Sequence, residues 1–61
     1  MEFFNGFCVG DIIKTLHRGQ VVDAKIERLD SLVFDVSING NVLTAMWTQD
    51  DHGRPMATTQ V

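Results

Sequence analysis

The stretch SLVFDVSINGNVLTAMW, residues 31–47, decides the fold, because a two-residue turn signal sits at the centre of two alternating apolar runs. Asn39 and Gly40 both tolerate the positive φ that a type I′ turn requires, so the segment reads as a β-hairpin. With these two residues as the loop, Ile38 faces Asn41, Val36 faces Leu43, Phe34 faces Ala45 and Leu32 faces Trp47 on one side of the ribbon. That side is almost continuously apolar. The other side carries Ser37 with Val42, Asp35 with Thr44 and Val33 with Met46, a mixture of polar and apolar residues. A one-residue slip would exchange the two faces, so turn chemistry and alternation must agree, and here they do.

Working outward, Val22, Ala24 and Ile26 alternate with Val21, Asp23, Lys25 and Glu27, which gives a second strand with one apolar face. A loop of Leu29, Asp30 and Ser31 would keep that face on the hairpin's core side, pairing Ile26 with Phe34, Ala24 with Val36 and Val22 with Ile38. Residues 11–17 read as a further strand, with Arg18-Gly19 as its turn into the next. A two-residue loop there sets Ile13 beside Ala24 and Lys14 beside Asp23 as a cross-strand ion pair. It also turns Ile12, Leu16 and Val21 outward, where water would meet them.

β-branched residues and repeated glycines leave no window for a helix. Residues 55–58 are expected to form a short fifth strand, with 57–61 fraying at the end. A single-layer sheet of this size could not cover its own core face, so four to five meandering antiparallel strands imply a small all-β barrel. The stretches FCVGDIIKTL and GQVVDAKIERLDSLVFDVSINGNVLTAMW, spanning roughly residues 7–48, resemble the small SH3-like barrels, the group that includes Tudor-type and Sm-like modules. The aromatic cage of a Tudor-type methyl-lysine reader is not evident, since the chain has no tyrosine and its one tryptophan sits at a core parity.

Sixty-one residues make one domain, residues 1–61, with residues 1–10 as an aromatic leader. A chain this short buries only about 60% of the surface its unfolded form exposes, and such cores are usually supplemented. The single Cys8 excludes an internal disulfide and fits a reducing cytoplasm. Cys8, His17 and His52 lack the paired spacing of a structural zinc site. Self-association is the remaining supplement. Eight acidic residues against five Lys and Arg give a net charge of −3, which disfavours a generic nucleic-acid binder. No apolar run reaches the ~18 residues of a membrane span, and no signal core is present.

No catalytic constellation emerges, and the chain reads as a non-enzyme with no cofactor or metal. Nothing in the spacing joins Cys8 to His17 as nucleophile and base, and a lone cysteine in an apolar stretch is ordinarily a small buried hydrophobe. Asp50, Asp51 and His52 offer metal-ligand atoms, but a solvated acidic turn is the plainer reading. Phe7 is expected to plug one end of the barrel, whereas the adjacent Phe3 and Phe4 cannot both face one core in extended structure. The expected contact surface therefore comprises Phe3, Phe4, Ile12, Leu16, Val21, Val33, Val42 and Met46, too much apolar surface to leave bare. The function these residues imply is a small interaction module that self-associates and binds a protein partner. Its length suits a regulator or inhibitor such as a mobile-element accessory protein. Two alternatives stand beside it. One is a nucleic-acid-binding barrel using Lys14, Arg18, Lys25 and Arg28 on one rim; the other is a sponge for a nucleotide or small ligand held between subunits.

Overall fold

A computed structural model describes residues 2–59 and, among these, seven strands and no helix. Strands β1 (Phe3–Phe4) and β2 (Phe7–Cys8) form a small hairpin of their own. Strands β3 (Ile12–His17), β4 (Gln20–Arg28), β5 (Val33–Ile38), β6 (Asn41–Gln49) and β7 (Pro55–Thr59) close into a barrel in that order, an architecture compatible with the small SH3-like barrels. The barrel is mixed rather than purely antiparallel. Five strands that alternate in direction bring the first and last together running the same way, so β3 and β7 pair in parallel, through Thr15 with Ala57 and Leu16 with Thr58.

The central hairpin has the register its turn dictates, from Ile38 opposite Asn41 to Val33 opposite Met46. Asn39 and Gly40 have φ of 52° and 84°, as a type I′ turn requires. The β3–β4 hairpin likewise sets Ile13 opposite Ala24 and Lys14 opposite Asp23. The aromatic leader, for which no strand was expected, repeats the same device: Asn5 and Gly6 have φ of 53° and 85° and join β1 to β2. The Asn-Gly signal was legible there too, but strands of two residues carry no periodicity to support it.

The β4–β5 connection departs from the expected odd loop. Ile26 lies opposite Val36 instead of Phe34, a slip of two residues that preserves which face is buried. A β-bulge between Ile26 and Arg28 accommodates Glu27 as an extra residue, and the connection between the strands lengthens to 29–32. Leu29, the first residue of the expected loop, is buried. The Trp47 indole N–H donates to the Asp30 carbonyl at 3.0 Å and pins the loop. Leu32 lies outside β5 and is 78% exposed, so it does not face Trp47 in the core as expected.

The core is Ile13, Ala24, Ile26, Leu29, Phe34, Val36, Ala45 and Ala57, all essentially inaccessible. Trp47 stacks on Phe34 at a centroid distance of 4.2 Å, and Phe4 and Phe7 lean on Trp47 at 5.7 and 6.1 Å. These four rings and the leader hairpin cover one end of the barrel. The last strand runs to Thr59 with Ala57 and Thr59 buried, so positions 57–59 of the expected frayed tail are instead part of the barrel wall. Positions 60 and 61 lie outside the described residues.

Candidate interaction surface

The expected contact residues other than Phe4 are exposed, and the registers show which of them meet. Val21 pairs with Leu16, Leu16 with Thr58, Thr58 with Met46, and Met46 with Val33. These five side chains point outward from five successive strands, forming one row across β4, β3, β7, β6 and β5. The row spans four strand spacings of roughly 4.8 Å each. Its apolar members are 61%, 38%, 43% and 41% exposed at Val21, Leu16, Met46 and Val33. Alternation alone exposed these residues on an outer face, but only the parallel closure joins Leu16 to Met46 through Thr58.

Ile12 and Val42 are also exposed but lie outside this row. They terminate a second row, Val42 opposite Ser37, Ser37 opposite Lys25 and Lys25 opposite Ile12, whose middle is polar. Phe3 is exposed on the leader hairpin, while Phe4 is half-buried against Trp47. The two phenylalanines thus part company as adjacent residues in a strand must.

The wall around β4 and β5 is chemically different. Lys14 and Asp23 form an exposed ion pair at 2.7 Å, Arg28 and Asp35 pair at 3.1 Å, and the Ser37 hydroxyl donates to Glu27 at 2.8 Å. Arg54 pairs with Asp50 at 3.2 Å in the turn before β7. Three of the five Lys and Arg side chains are therefore already matched with carboxylates. Of the proposed nucleic-acid rim, Lys14 and Arg28 are neutralised in this way, and Arg18 and Lys25 sit on different parts of the surface.

Asp50 holds its turn together. Its carboxylate accepts the backbone N–H groups of Arg54 and His52, both at 2.8 Å, as well as the Arg54 side chain. Chiefly the Arg54 backbone hydrogen bond keeps its acidity stronger than that of an ordinary aspartate. The carboxylate is thus occupied by its own turn, and no cluster of metal-binding side chains occurs among the described residues. Cys8 is exposed rather than buried, because it ends the leader hairpin outside the barrel. His17 lies at the far end of β3, where its Nδ1 is 2.8 Å from the Thr59 hydroxyl across the β3–β7 seam. Phe4 and Phe7 each pack against Trp47, so these three rings form no open cage among the described residues.

No family model, curated protein or solved structure shows significant similarity to the chain. No helix among the described residues is long and apolar enough to cross a membrane.

Proposed function

We propose that this protein is a non-enzymatic interaction module whose outer apolar row binds a second copy of the chain, and that the assembly acts on a protein partner as a small regulator or inhibitor. One observation carries the reading: Val21, Leu16, Met46 and Val33 line up in register across the β3–β7 closure. That closure rests on two residue pairs. A second copy laid over the row would bury apolar surface and brace the shortest pairing in the barrel in one contact. A standard interface takes roughly 800 Å² per partner, about a fifth of the 4058 Å² surface. The row's extent across five strands suits a contact of that breadth. The exposed thiol of Cys8 fits a reducing cytoplasm, since an oxidising compartment would open it to disulfide exchange.

The nucleic-acid alternative loses support from the ion pairs, which leave few free cations on a chain of net charge −3. The test contrasts two variants by mass in solution. Leu16→Glu puts a charge in the middle of the row and should convert the assembly to monomer at all but the highest concentrations. Val42→Lys changes a more exposed apolar residue outside the row and should leave the mass unaltered. A monomeric unmodified protein, or equal dissociation by both variants, would overturn the reading.

A further inference from the structure

The barrel has two unlike ends, and the open one carries chemistry of its own. Opposite the aromatic plug, the half-buried Val22, Ile38 and Leu43 floor an open concavity of about 610 Å³, rimmed by Arg18 and Asn39. This size lies within the range of small-molecule sites. The floor is aliphatic, the only aromatic ring lining it among the described residues is the His17 imidazole, whose Nδ1 is held by the Thr59 hydroxyl, and no acidic side chain lines it. Arg18 makes no ion pair among the described residues, in contrast to Lys14, Arg28 and Arg54.

Arg18 also sits in a backbone conformation that does not suit it. Among the described residues, three two-residue hairpin turns have positive φ at both positions, and two of them use Asn-Gly, at Asn5-Gly6 and Asn39-Gly40. The third uses Arg18 at φ 52° before Gly19 at φ 79°. For a residue without a short polar side chain, the left-handed region is disfavoured by roughly 1–2 kcal/mol. Strain held at a residue that lines a concavity points from the outlier to a role for its side chain.

We propose that the open end binds a small aliphatic carboxylate, with the branched hydrocarbon body on Val22, Ile38 and Leu43 and the carboxylate on the Arg18 guanidinium. The planar fork of an arginine matches a carboxylate with two parallel hydrogen bonds. An aliphatic floor accepts a branched chain, whereas a nucleobase would want a broad stacking platform, and the only ring at this end among the described residues is the His17 imidazole at the β3–β7 seam. The same chemistry occurs in a free short-chain acid and in the terminal leucine or valine of a peptide. This site is separate from the apolar row and does not depend on self-association.

The experiment follows backbone amide chemical shifts during titration with isovalerate, with N-acetyl-leucine and with its neutral analogue N-acetyl-leucinamide. Saturable shifts at Arg18, Gln20, Asn39 and Asn41 are expected for the acids, with the amide at least about tenfold weaker. Tighter binding of N-acetyl-leucine than of isovalerate identifies a peptide terminus as the source; the reverse order identifies a free acid. Arg18→Asn keeps the turn chemistry of the other two hairpins, so the variant should fold with an equal or higher melting temperature and lose the preference for acid over amide. Non-saturating shifts, equal response to acid and amide, or undiminished acid binding by Arg18→Asn would each overturn the proposal.

Discussion

The seam side of the barrel and the β4–β5 side are made of the same kind of strand, yet they present opposite surfaces. On the β4–β5 side most outward polar groups are matched, Lys14 with Asp23, Arg28 with Asp35 and Ser37 with Glu27, and Lys25 stands exposed beside them. Across the seam, the corresponding outward positions are Leu16, Met46 and Val33, with only Thr58 between them. Both walls cover one core. The difference teaches that the outward face is not a uniform solvated shell, and that the apolar half follows the β3–β7 closure, where the pairing is shortest.

The most drastic way to break the comparison is to remove what the two walls share. Phe34 is fully buried beneath both, stacked on Trp47. Phe34→Ala should cost about 3–5 kcal/mol and leave the domain unfolded by circular dichroism, because a domain this small has little stability in reserve. Val33→Thr sharpens the contrast, since Val33 is adjacent in sequence but faces outward in the apolar row. The isolated barrel should stay folded while the mass in solution falls toward that of a monomer. Inverted results from this pair would invert the assignment of faces.

On the polar wall the expected effects are small. Lys14→Ala removes an ion pair whose side chains are both well exposed, so chemical denaturation should register a loss of only about 0.2–1 kcal/mol, shrinking further in salt. The mass in solution should not change. Smallest of all is a pH effect at the turn before β7. Asp50 has its proton affinity lowered in the folded state, so its contribution is present above the ordinary aspartate range and is lost as the pH falls below about 4. Asp50→Asn should flatten that part of the acid-unfolding curve without altering the apolar row.

Much of this contrast was legible in the residues. Asn39-Gly40 and Arg18-Gly19 specified two hairpins, their registers and therefore the outward positions of Leu16, Val21, Val33 and Met46. What alternation could not supply was long-range placement. The bulge at Glu27 and the buried Leu29 depend on how the β4–β5 connection packs under Trp47, and no local pattern announces that. The row itself required knowing that β7 returns beside β3, which separates Ile12 and Val42 from the residues they had been grouped with. The open end escaped notice for a related reason. Val22, Ile38 and Leu43 have core parity, and only their position next to the hairpin turns leaves them half-covered.

The central claim, that the apolar row is a surface between copies, is tested most directly by isotope-filtered NMR on a mixture of labelled and unlabelled protein. Intermolecular contacts between the methyl groups of Leu16, Val21, Val33 and Met46 are predicted, with none from the side chains of Lys14, Asp23 or Asp35. A complete absence of intermolecular contacts at high concentration, or contacts arising from the ion-paired wall, would contradict the account.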